Sequence, residues 1–178
     1  MHVTVDRELL LDFFLTFARF EFALKSAGLF VKRRSHKKEV TYEAKPDWDS
    51  FARQLNGVFR PDANPRLRQA CDHLLINPPW REVVRGGALR WDSAAESDQL
   101  SEVERLLRYV RRVRNNLFHG GKFTSVPASD LGRNAALLAD SLIILRECLN
   151  LAEGVRAEYE SAALEGAPVA AGRSAEGH

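Results

Sequence analysis

The sequence predicts an all-α fold, a helical bundle of three long helices plus short ones. Three observations lead there. Apolar residues recur at three- and four-residue steps through three long stretches. Glycine, proline and asparagine punctuate the chain between those stretches. The strand-like runs are too short to form a sheet-based core.

The first helix is expected from about Asp6 to Ala27, with Asp6 as N-cap and Gly28 as stop. Asp12, Thr16, Arg19 and Ser26 form a narrow polar stripe, with Leu10, Phe13, Phe14, Phe17 and Leu24 on the other side. Apolar residues cover most of this helix, so it belongs at the centre of the fold. From Val31 to Asp47 the chain turns polar and basic, reading as a solvated loop or short hairpin. Short helices follow over Asp47–Leu55 and Asn64–Leu75, the second stopped by Asn77-Pro78-Pro79. Trp80–Trp91, with a Gly86-Gly87 turn, reads as a small two-stranded flap or irregular coil. The second long helix starts near Ser97 or Gln99 and runs to His119, with Leu100, Val103, Leu107, Val110, Val113 and Leu117 inward. Gly120-Gly121 ends it. A third is expected from Ser129 or Asp130 to Tyr159. Residues 1–164 then make one domain, and the Gly/Ala-rich stretch 165–178 a disordered tail.

Composition excludes several classes. The 178 residues hold 26 Lys and Arg against 24 Asp and Glu, a net charge of +2. This is too balanced for a basic coat, so nucleic-acid binding requires a local patch. Cys71 and Cys148 stand far apart, without metal-ligand spacing or a disulfide framework. The apolar stretch Leu9–Leu24 is broken by Asp12, Arg19 and Glu21, so it is a core helix and no membrane partner is expected. The opening Met-His-Val-Thr-Val-Asp does not read as a signal peptide, and a cytoplasmic location is expected.

The chemistry concentrates at one helix end. Arg105, Arg108, Arg111, Arg112 and Arg114 precede Asn115-Asn116-Leu117-Phe118-His119-Gly120-Gly121-Lys122. Asn115 and His119 are four apart and share a face, with Arg111 one turn earlier. A histidine at a helix C-terminus meets the negative end of the dipole, which favours imidazolium. An asparagine can fix its tautomer, and a guanidinium offers a planar fork for phosphate. Together these groups suffice for cleavage of RNA without a metal or other cofactor. The plainer alternatives are a C-capping histidine and arginines that are ordinary surface charge.

The run Arg114-Asn115-Asn116-Leu117-Phe118-His119 resembles the Arg-Asn-x-x-x-His signature of the HEPN superfamily (higher eukaryotes and prokaryotes nucleotide-binding). Phe17–Lys25 is similar to the opening helix of bacterial HEPN-like proteins. The resemblance implies a helical bundle that dimerises and, in many members, a metal-independent endoribonuclease acting as a toxin or antiviral effector. Carried over, Arg114 and His119 are the catalytic pair and Asn115 the polar residue between them. Arg108, Arg111, Arg112 and Lys122 would then contact RNA. A nucleotidyltransferase-type antitoxin or another regulator is a possible partner. Members that lost catalysis and bind nucleotides or partners supply the rival reading.

Two further expectations follow. Arg114 and His119 diverge by about 140° on an ideal helix, so a working site is easiest to build from two chains along the Gln99–His119 helix. Glu21 lies about 180° from Asp12, on the apolar side of the first helix, and should be largely buried. Its partner is either Lys25, four residues on, or an arginine of the other long helix, above all Arg114, which it would position.

Overall fold

Helix α1 (Arg7–Ser26) begins where the Asp6 carboxylate accepts the Glu8 backbone N–H at 2.9 Å, and it gives way to Gly28 at φ 82°. In a computed structural model, which describes residues 6–34, 42–118 and 129–165, the chain is mostly helical. After α1 come the strands β1 (Phe30–Arg34) and β2 (Tyr42–Pro46), then helices α2 (Trp48–Leu55) and α3 (Pro65–Ile76). Strands β3 (Arg81–Arg85) and β4 (Ala88–Asp92) precede helices α4 (Glu102–Phe118), α5 (Ser129–Leu151) and α6 (Glu153–Glu165). Each strand pair is an antiparallel hairpin of its own.

Local chemistry sets these boundaries. Asp47 caps α2 by accepting from the Ser50 N–H, and the Ser50 contacts hold its carboxyl below the usual carboxylate range. Asn64 caps α3 by accepting from Arg66 and Leu67, with Pro65 in the first turn. The β3–β4 hairpin pairs Arg85 with Ala88 across Gly86-Gly87, both at positive φ, so of the two forms open for Trp80–Trp91 the chain adopts the hairpin. The basic segment also forms a hairpin where it is described; residues 35–41 between its strands lie outside the described residues, as does the tail beyond Glu165.

The core draws on every helix. Phe13, Phe17, Phe20 and Leu24 of α1 meet Trp48 and Phe51 of α2, Leu67 and Leu74 of α3, Leu106 and Val110 of α4, and Leu138, Leu142 and Leu145 of α5. Trp48 stacks on both Phe17 and Phe20 at 5.2 Å between centroids. His73 of α3 meets Asp140 of α5 at 2.5 Å. Cys71 and Cys148 are buried free thiols, and burial pushes Cys71 up to about 12.

Three expectations need correction. The third long helix is two: α5 ends at Leu151 and α6 starts at Glu153, with Ala152 bonded back three residues to Leu149. The break lets α6 fold back onto α1, where Arg19 donates to the Tyr159 carbonyl at 2.7 Å and stacks 4.1 Å above its ring. The polar stripe of α1 is thereby partly covered, with Thr16 buried and Arg19 half-buried while Asp12 and Ser26 stay exposed. Thr16 is buried and donates to Asp12, which pairs with Arg146 of α5 at 2.7 Å. Conversely, Leu10 and Phe14, expected on the core side, are exposed. Helix α4 starts at Glu102 rather than near Ser97. Its true N-terminal signal is Ser101-Glu102-Val103-Glu104, a reciprocal cap in which Ser101 N donates to the Glu104 carboxylate at 2.9 Å and Glu104 N to Ser101 Oγ at 3.4 Å.

Candidate functional site

The inward side of α4 follows its apolar spacing. Val103, Leu106, Leu107, Val110 and Val113 are buried, and Tyr109 joins them. What remains outward is the arginine ladder, and the fold treats its members differently.

Arg112, expected to meet RNA, turns inward and is only 9 % exposed. Its guanidinium donates to the carbonyls of Pro79 (3.1 Å) and Ala94 (3.2 Å) and to the Glu96 carboxylate, and it lies over the Tyr109 ring. Burial pushes its pKa down and Glu96 opposes that shift. The Tyr109 hydroxyl completes the clamp by accepting the Glu96 N–H at 2.9 Å. Arg112 thus ties both flanks of the β3–β4 hairpin to α4, which corrects its assignment to an RNA-facing surface.

Arg108 and Arg111 do face outward, each with a carboxylate at hand. Arg108 lies 3.4 Å from Glu96 and 3.8 Å from Asp49, and Arg111 lies 3.6 Å from the same Asp49. Arg105 meets Asp98 at 3.2 Å. Such half-exposed pairs contribute at most about 1 kcal/mol each. A phosphate can displace them, but the ladder is not an open basic groove. This face of α4 is charged along most of its length.

Arg114 projects from the last turns of α4 toward α1. Its Nη2 is 3.9 Å from Glu21 Oε2, its Cζ is 5.5 Å from the Phe17 ring centroid, and its Nη1 donates to Asn115 Oδ1 at 3.2 Å. Of the two partners open to Glu21, the structure has Arg114 and not Lys25. The contact is longer than a hydrogen bond, a charge-to-charge approach. Glu21 Oε1 accepts from Trp48 Nε1 at 3.2 Å, so its carboxylate is shared between an indole and a guanidinium. It is half-buried rather than largely buried, with 28 % of the side chain exposed against 34 % for Arg114. The reason is geometric: Glu21 sits on the flank of α1 beside α2 and α4, not on the side facing the core.

Asn115 is exposed, and Asn116 donates to the Trp80 carbonyl at 2.6 Å, pinning the hairpin base to the motif end. Arg133 of α5 reaches the same place, donating to the Pro78 carbonyl at 2.9 Å and stacking 5.5 Å from the Trp80 ring. His119 and Lys122 lie outside the described residues. Sequence reasoning missed Trp48, Asp49 and Asn116. Only Trp48 left a signal, as the large aromatic following the Asp47 cap. No group of three His, Cys, Asp or Glu side chains that could hold a metal ion occurs among the described residues. No described helix is long and apolar enough to cross a membrane. Comparison of the chain with protein-family models, with curated proteins and with solved structures finds no match.

Proposed function

We propose that this chain is a HEPN-like, metal-independent endoribonuclease that works as a homodimer, a cytoplasmic toxin or antiviral effector held in check by a regulatory partner. One observation supports the reading most: Arg114, the arginine of the Arg-Asn-x-x-x-His motif, stands half-exposed at the end of α4 between a carboxylate and an aromatic ring. Such an arginine is oriented, and about a third of its side chain reaches water, where a phosphate can meet it.

In the proposed reaction the ribose 2′-oxygen attacks the adjacent phosphorus as its proton leaves. The P–O5′ bond breaks, giving a 2′,3′-cyclic phosphate and a 5′-hydroxyl. His119 moves the proton, a step contributing about 10²–10⁴-fold. Arg114 stabilises the charge developing on the phosphoryl oxygens. Asn115 orients the imidazole. Arg108, Arg111 and Lys122 would meet flanking phosphates, the first two by exchanging their carboxylate partners.

The test is cleavage of RNA in the presence of EDTA, with DNA of the same sequence as control. The expected result is cleavage of RNA alone, reduced by about 10²-fold or more in His119→Ala. Cleavage unchanged by that substitution overturns the assignment. Saturable nucleotide binding without cleavage of any RNA selects the rival, a binding module built on the same helices.

A further inference from the structure

The solvent-facing side of α1 is apolar, and its spacing is regular. Leu11, Leu15, Ala18 and Phe22 follow at steps of four, three and four. They fall within an arc of about 60° on the helix, opposite Phe13, Phe20 and Leu24. All four are exposed, Leu11 by 55 %, Leu15 by 49 % and Phe22 by 46 %. Among the described residues these four form the seam of a two-helix coiled coil that faces water.

The residues that continue the seam carry opposite charges. Glu8 precedes Leu11 by three, and Lys25 follows Phe22 by three. Among the described residues neither makes an ion pair. If a second copy of α1 packs antiparallel about a two-fold axis, facing residues have numbers with a constant sum. Leu15 then faces Ala18 of the partner subunit, and Leu11 faces Phe22 of the partner subunit. Each inner layer sets a larger side chain against a smaller one. In the same register Glu8 faces Lys25 of the partner subunit at both ends. A parallel pairing would set Glu8 against Glu8 of the partner subunit and Lys25 against Lys25 of the partner subunit, like charges in both end layers. We infer that this face of α1 is a self-association surface whose occupant is the α1 of a second copy, antiparallel and in the Glu8-to-Lys25 register.

The seam spans about 26 Å of helix. Four apolar layers make an interface at the small end of specific contacts, so a dimer of micromolar affinity is expected. A two-fold perpendicular to α1 keeps the flank bearing Phe17 and Glu21 on the same side in both copies. Both Arg114 guanidiniums then open on one side of the pair. The inference itself does not rest on the ribonuclease reading, because its readout is mass rather than activity.

The test is analytical ultracentrifugation of the full chain across the micromolar range, with thermal melting alongside. Wild type is expected to be a dimer. Leu15→Glu should be a monomer with an unchanged fold by circular dichroism. Glu8→Lys and Lys25→Glu should each weaken the dimer by about tenfold, because the two-fold places the repulsion in two layers at once, and the double swap should restore it. A monomeric wild type overturns the inference, as does a dimer indifferent to Leu15→Glu. Charge variants without effect overturn the antiparallel register. A monomeric wild type destabilised by Leu15→Glu would mean that another part of this chain covers the seam.

Discussion

Arg112 and Arg114 stand two residues apart on α4, yet the molecule uses them in opposite ways. Arg112 is buried, satisfied by two carbonyls and a carboxylate, and joins three segments of chain. Arg114 is half-exposed, and its contacts include the Glu21 carboxylate at 3.9 Å, the face of the Phe17 ring and Asn115 Oδ1. A guanidinium buried beneath the fold is out of a ligand's reach, whereas one that is steered yet partly exposed to water can be met by a phosphate. The difference arises because two residues on a helix turn a side chain by about 200°. One arginine is thereby sent under the β3–β4 hairpin and the other toward α1.

The comparison predicts a wide spread in stability. Arg112→Ala should have the largest effect, about 3 kcal/mol, because it removes the side-chain donor from two carbonyls and the nearer of two guanidinium partners from the Glu96 carboxylate. That corresponds to a fall in melting temperature of roughly 10 °C. A loss under 1 kcal/mol in thermal or denaturant unfolding would dissolve the contrast with Arg114.

Trp48→Phe should cost about 1–2 kcal/mol. It keeps an aromatic ring between Phe17 and Phe20 but loses indole volume and the donor to Glu21. If Glu21 orients Arg114, RNA cleavage in this variant should fall by more than the folded fraction does, measured at a temperature where both proteins are folded.

Ser101→Ala should cost about 1 kcal/mol at neutral pH through loss of the α4 cap. The hydrogen bonds from Ser101 hold the Glu104 carboxyl below its ordinary value. A depressed folded-state pKa contributes stability that is fully present above the unfolded value and lost as pH falls through the folded one. The gap between wild type and variant should therefore shrink in acid. A constant gap in melts taken from neutral to acidic pH would show that Glu104 carries none of the effect.

Arg114→Ala and Glu21→Gln should have the smallest effect on stability, under about 1 kcal/mol each, since both side chains reach water. Their effect on RNA cleavage should be the larger one: loss for Arg114→Ala and partial loss for Glu21→Gln. Equal melting with unequal cleavage sharpens the comparison, and a large loss of stability in either variant breaks it.

The sequence by itself determined the short helices α2 and α3 and the inner face of α4, because apolar periodicity and cap residues act within a few residues of one another. Asp6, Asp47 and Asn64 cap as their side chains require, and Val103, Leu107, Val110 and Val113 face inward at the expected steps. The hairpin at Gly86-Gly87 was legible as one of two forms, since two positive-φ residues admit few turns but do not exclude irregular coil. That Glu21 needs a cation was also readable, as a charge inside an apolar pattern; that the cation is Arg114 was one of two options. Tertiary structure decided what no local pattern encodes. The fold-back of α6 at Ala152 sets Tyr159 against Arg19 of the α1 polar stripe, and α5 sets Arg146 against Asp12, while the seam of Leu11, Leu15, Ala18 and Phe22 is left facing water. Neighbours 134 and 140 residues away along the chain help choose which side of a nearly all-apolar helix is the core. Pro79, Ala94 and Glu96 likewise decide which of the five arginines the fold consumes.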